Sequence, residues 1–180
     1  EHPVDRRFGR VELVESGGMA NISYMLHLNY GFVLLRAGRI PEALQEITRA
    51  LRAGEQIGQR LETAYADRAD ALLTAGLAAE ALENAERAIT GQLERGRAFD
   101  AAESRVVAAR AALAANEVGR AADLAAQARA DFIRQRRRAW AANAWQVELA
   151  ARYAEGERTP ELLRDRHRCV TSLRQAGRRV

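Results

Sequence analysis

Apolar residues in this chain return at three- and four-residue steps, the period that lines one face of a helix. Leu44, Ile47 and Leu51 keep that step, and the run from Tyr24 to Leu35 is apolar on most sides. Gly38 stands between these two stretches, and the arrangement recurs. Gly38 is followed by Pro41-Glu42-Ala43-Leu44 and Ala50-Leu51, and Gly76 by Ala79-Glu80-Ala81-Leu82 and Ala88-Ile89. Gly119 is followed by Ala122-Asp123-Leu124-Ala125 and Asp131-Phe132. Gly156 leads, after one inserted residue, to Pro160-Glu161-Leu162-Leu163 and Cys169-Val170. The glycines are 38, 43 and 37 residues apart. Each is expected to supply the left-handed residue that closes one helix before the next begins. Pro41 and Pro160 fit a first helical turn, where no backbone N–H is needed. Glu42, Glu80, Asp123 and Glu161 fall in the same turn, favoured by the helix dipole. Thr159 suits an N-cap.

Late in the first helix of each pair, the corresponding positions hold Tyr30-Gly31 with Leu34, Arg68-Ala69 with Leu72, Ala111-Ala112 with Ala115, and Leu149-Ala150 with Tyr153. The second helices carry Ala43 and Ala50, then Ala81 and Ala88. Leu124 and Asp131 stand at those places in the third segment, with Ala128 for the bulky Ile47, which reads as a size swap. This pattern over residues 20–177 resembles the tetratricopeptide repeat (TPR) family. The resemblance implies an all-α, right-handed superhelical solenoid of about four antiparallel helix pairs. The expected divisions are a lead-in or remnant of an upstream repeat over 1–18, then repeats over 19–58, 59–96, 97–137 and 138–180. A narrower resemblance joins Ala128–Phe132, the Arg136–Trp140 run and Leu149–Gly156 to the helical region of large actinobacterial proteins that carry a caspase-like CHAT domain. It implies that the chain is part of a longer protein, with the protease residues outside it. Gly177 to Val180 read as a turn into a further helix.

Composition supports helix: the chain has 38 alanines and three prolines. Its one cysteine, Cys169, excludes a disulfide framework and makes a cytoplasmic setting the expectation. All 28 basic residues are arginine, which reads as coding bias. No apolar run approaches the roughly 20 residues that cross a bilayer. His167 and Cys169 are two apart, on opposite sides of a helix, and His27 is expected in the core or groove. Ser16-Gly17-Gly18-Met19 lacks the lysine and hydroxyl of a phosphate loop and reads as a flexible lead-in. Asp67 and Asp70 share a face with arginines around them, the pattern of a solvated surface. Neither a catalytic constellation nor a metal-ligand spacing stands out, so no enzyme activity, cofactor or metal is expected.

The expected function is therefore a protein-interaction scaffold or regulatory arm that binds a peptide or domain, from another protein or from its own longer chain. In the family, first helices line a concave groove. The matching positions here are Met25, Leu28, Phe32 and Arg36, then Asp70 and Thr74, then Asn116 and Glu117. Leu28, Phe32 and Leu35 replace the family's basic clamp for a terminal carboxylate. The alternative is the helical arm of a transcriptional regulator. Residues 129–180 hold 13 arginines against 6 acids, densest at Arg134, Arg136, Arg137 and Arg138 beside Trp140 and Trp145. Such a patch can meet nucleic acid, but the bland reading, a solvated helix end, is preferred. Homodimerisation through uncapped terminal repeats is a further expectation.

Overall fold

A computed structural model describes the backbone of residues 5–177 and the side chains of residues 18–175. Among these residues the chain is entirely helical: α1 (Asp5–Arg36), α2 (Ile40–Gln56), α3 (Glu62–Thr74), α4 (Ala78–Glu94), α5 (Ala98–Ala114), α6 (Val118–Arg134), α7 (Arg138–Ala154) and α8 (Pro160–Gly177). Each helix packs chiefly on its neighbours in sequence, the contact pattern of stacked helix pairs. No described helix is long and apolar enough to cross a membrane. The turn expected over Gly177 to Val180 lies beyond the described residues except at Gly177, which ends α8.

Seven turns join the eight helices, and all seven close in one way. A residue with positive φ sits at Gly38, Gly58, Gly76, Gly96, Asn116, Arg136 and Gly156. The N–H that follows it bonds to the carbonyl five residues back, as in Arg39 to Leu34 at 2.9 Å and Glu117 to Ala112 at 2.8 Å. This is the Schellman closure of a helix. Consecutive left-handed residues are 20 residues apart, save for 18 between Gly58 and Gly76. The third turn residue is therefore Asn116 and not Gly119, which lies inside α6. Asparagine tolerates this conformation because its short side chain can bond locally. With Asn116 in place, the spacing becomes 38, 40 and 40.

That shift repairs the third pair. Its small positions are Ala121 and Ala128, fully buried like Ala43, Ala50, Ala81 and Ala88. No size swap is required. Leu124 and Asp131 are only half-buried. In the first helices the position seven before each turn residue holds Gly31, Ala69, Ala109 and Leu149, all buried; the third moves from Ala112 with the turn, and Ala150, one place beyond Leu149, is exposed. The reason for small residues is visible at Gly31. An added Cβ there would lie 2.7 Å from Ile47 Cγ1 and 3.3 Å from the Ala43 carbonyl oxygen, so α1 and α2 touch through their backbones. The fourth pair keeps one extra residue, and Leu162 and Cys169 take the paired positions. The Leu162 N–H donates to Thr159 Oγ1 at 3.2 Å, which caps α8.

Ser16-Gly17-Gly18-Met19 lies within α1, which runs unbroken through it. An added methyl at Gly18 meets nothing within 4 Å. Gly18→Ala is thus expected to raise stability by about 0.5–1 kcal/mol, through the lower entropy cost of ordering alanine in a helix. Urea unfolding followed by circular dichroism measures it.

Candidate interaction surface

The pairs stack so that α1 meets α3, α3 meets α5, and α5 meets α7, while the backbones of α2, α4, α6 and α8 do not approach one another. The odd helices thus form a continuous row. Met25 and Phe32 are about half exposed on α1, with Arg36 exposed at its end. Asp70 and Thr74 are exposed on α3, and the Thr74 hydroxyl donates to the Asp70 carbonyl at 2.8 Å. The row continues through Arg110 and Ala114 of α5 and Gln146 and Ala150 of α7. These four residues, with Leu113 and Val147, line a shallow groove of about 380 Å³ between α5 and α7. Arg110 donates to Asn143 Oδ1 across it at 2.7 Å.

Leu28 is buried with Tyr24, Ile47 and Leu51 between α1, α2 and α3, and it lines, with Met25, a groove of about 510 Å³ against Thr63 of α3. Two expected groove residues are placed elsewhere. Asn116 and Glu117 form the turn after α5 rather than its face, and Glu117 is engaged by Arg120 at 2.9 Å. Both displacements follow from the turn. Counting back from Asn116 instead of Gly119 brings Arg110 and Ala114 to the positions of Phe32 and Arg36.

The arginine run is likewise divided by its neighbours. Arg134 pairs with Asp131, which Arg105 also holds. Arg137 is drawn into the joint between α5, α6 and α7. It pairs with Glu103, and its guanidinium lies over the rings of Trp140 at 4.6 Å, Phe132 at 5.0 Å and Phe99 at 5.9 Å. Such cation–π contacts tie an arginine into structure. Arg136 and Arg138 remain exposed, at the rim of a groove of about 900 Å³ whose wall includes Trp145. Arg129 covers that ring at 4.4 Å and pairs with Glu148 at 3.2 Å. Among the described residues the run thus holds two arginines without an ion pair and two tied into structure, not a single cationic stripe.

Several polar contacts escaped sequence reasoning because their partners are far apart in the chain. His27 Nδ1 meets Glu46 Oε2 at 2.6 Å and joins α1 to α2. Glu62 is buried at the start of α3, where Arg95 and Arg97 approach its carboxylate at 3.2 and 3.5 Å. Asp67 is half-buried, and burial first, with the neighbouring Asp70 second, pushes its carboxyl up to about 6. Cys169 is buried with its thiol 3.4 Å from the Ala142 carbonyl oxygen, and burial raises its pKa. His167 is exposed on the other side of α8, 3.2 Å from the Leu163 carbonyl oxygen. Among the described residues no group of three or more His, Cys, Asp or Glu is arranged to hold a metal ion. The chain matches no protein-family model and no curated protein.

Proposed function

We propose that this chain is a TPR-like interaction scaffold whose odd helices line the concave side of a right-handed superhelix and bind a peptide or helix of a partner. The observation that carries the reading is the row of odd helices, each meeting the next, with Phe32, Asp70, Arg110 and Ala150 exposed at one register. Supporting it is the recurrence of buried alanines at one register in α2, α4 and α6, which gives the three pairs one packing geometry. Repeat arrays of this kind present extended surfaces rather than deep pockets. The strip changes character along its length. It is apolar at Met25 and Phe32, and polar at Asp70, Thr74 and Arg110. A partner segment of matching order would bury its apolar end on α1 and turn polar groups toward α3 and α5. In a longer protein the same strip would serve a regulatory arm, holding a segment of the partner or of another domain.

The test uses peptides selected from a display library against the whole chain, with affinity measured by calorimetry. Phe32→Asp is expected to weaken the selected peptides by about tenfold or more, since a half-exposed aromatic is a common binding anchor. Arg110→Glu should weaken those that carry acidic residues. Selected peptides that bind both variants with unchanged affinity would place the binding surface elsewhere.

A further inference from the structure

Helix α1 carries a second, separate apolar stripe. Met19, Ile22, Leu26, Tyr30 and Val33 are 50 to 70% exposed. At about 100° per residue, the other four lie within roughly 40° of Leu26 around the helix axis. Met25 and Phe32, the strip proposed for peptides, lie roughly 100–120° from Leu26, on a neighbouring face. The stripe falls within residues 16–35, which contain no Asp or Arg and no Glu or Lys, although 29% of the chain is charged.

The register of the array shows what this face would ordinarily meet. Leu26 corresponds to Ala64, Ser104 and Ala144 in α3, α5 and α7, and Val33 to Ala71, Ala111 and Ala151. All six are buried. Ala64 and Ala71 cluster with Ile47, Ala50 and Leu51 of α2, and Ala144 with Ala125 and Ala128 of α6. Leu26 and Val33 therefore carry onto α1 two positions that the later odd helices bury against the helix before them, whereas Met19 and Ile22 have no such counterpart, since Arg97 and Asp100 stand at their register at the start of α5. The stripe differs in size. Where the internal positions are small enough for close approach, α1 carries leucine and valine, and the flanking stripe positions add methionine, isoleucine and tyrosine. Bulky side chains suit a partner helix held at coiled-coil distance by interlocking side chains.

We propose that this face binds a second copy of the chain, with two α1 helices packed antiparallel about a twofold axis through Leu26. The spacing of the stripe reads alike in both directions: it lies seven and four residues before Leu26, and four and seven after. A twofold axis at that residue sets Leu26 against its counterpart, Ile22 against Tyr30 and Met19 against Val33. This self-matching is what an isologous interface demands. Covering five such side chains on both copies removes on the order of 1,000 Å² from water, near the lower edge of specific interfaces at ~1,200 Å². Such an area suits a dimer at the weak end of specific association. An anionic membrane is a poorer occupant, because the flanks of the stripe hold Ser23, Asn29 and His27 rather than arginines.

Sedimentation equilibrium over a wide concentration range tests the association. The unaltered chain is expected to move from monomer to dimer, and Leu26→Glu to raise the dissociation constant by about tenfold or more while keeping the helical circular dichroism signal. Disulfide trapping in a Cys169→Ala background tests the geometry. Leu26→Cys should cross-link to itself, and Met19→Cys should cross-link with Val33→Cys but not with itself. A chain that stays monomeric at the highest concentration overturns the proposal, as does a dimer indifferent to Leu26→Glu or cross-links of parallel pattern. Co-sedimentation of the monomer with neutral or anionic vesicles, abolished by Leu26→Glu, would instead assign the stripe to lipid. Loss of peptide binding in Phe32→Asp is read separately and bears on neither result.

Discussion

Replacing Phe132 with alanine is expected to cost about 3–5 kcal/mol of stability, the usual range for deleting a buried aromatic ring. Phe132 is fully buried among Ala102, Val106, Ala109, Ala125, Ala128, Ala144 and Val147. Most of these neighbours are alanines, whose methyl groups cannot swing into an empty space. The hole left by the ring would therefore stay open, which places the cost toward the upper end of the range. The ring also supports Arg137 at 5.0 Å and Trp140 at 5.6 Å. Without it, the joint between α5, α6 and α7 loses its central contact. Phe132→Leu, which refills much of the volume, should recover a large part of the loss. Urea denaturation of the three proteins reads these differences. Equal stability of wild type and Phe132→Ala would mean that α6 does not pack as described.

Asp67→Asn is expected to stabilise the protein at pH 8 and to have little effect at pH 4. The Asp67 carboxyl is pushed from 3.8 to about 6 by burial and by Asp70, and among the described residues it belongs to no ion pair. A carboxyl raised by folding favours the fold when protonated. That contribution is complete below about pH 4, fades as pH rises through 6, and is absent above it. Ionised Asp67 therefore weighs against the fold at neutral pH, by up to about 3 kcal/mol for a shift of this size. Asparagine keeps the shape and removes the charge. A gain of about 1–3 kcal/mol at pH 8 follows, measured by denaturation at several pH values. An equal effect at pH 4 and pH 8 would show that charge is not the cause.

The helix pairs were legible because glycine, proline and early acids punctuate the first two and the last. The third pair falls out of register when glycine alone is counted as a turn residue. Asn116 and Arg136 turn the chain here, and Gly119 offered a false anchor three residues on. Alanine richness made the error hard to notice. Helix α5 buries Ala101, Ala102, Ala108, Ala109, Ala111 and Ala112, so its inner and outer faces differ too little to fix a register. The surface suffered in proportion. Phe32 and Asp70 are exposed, whereas Asn116 and Glu117 inherit the shifted count. Leu28 belongs to an apolar run that is exposed on one side and buried on the other, and periodicity does not tell these sides apart. The role of Arg137 was hidden because Phe99 and Glu103 reach it from across a helix.

The uniform turns carry an evolutionary consequence. Because Gly76 and Asn116 hold the same backbone conformation forty positions apart, removing or copying the stretch between them rejoins matching geometry at the seam. The helices brought together would again meet through alanines, since Ala121 and Ala128 stand where Ala81 and Ala88 stood. A gene for this protein can lengthen or shorten by forty codons without inventing a new junction. The reach of the array is thus open to recombination, while the motif that closes each helix stays as it is.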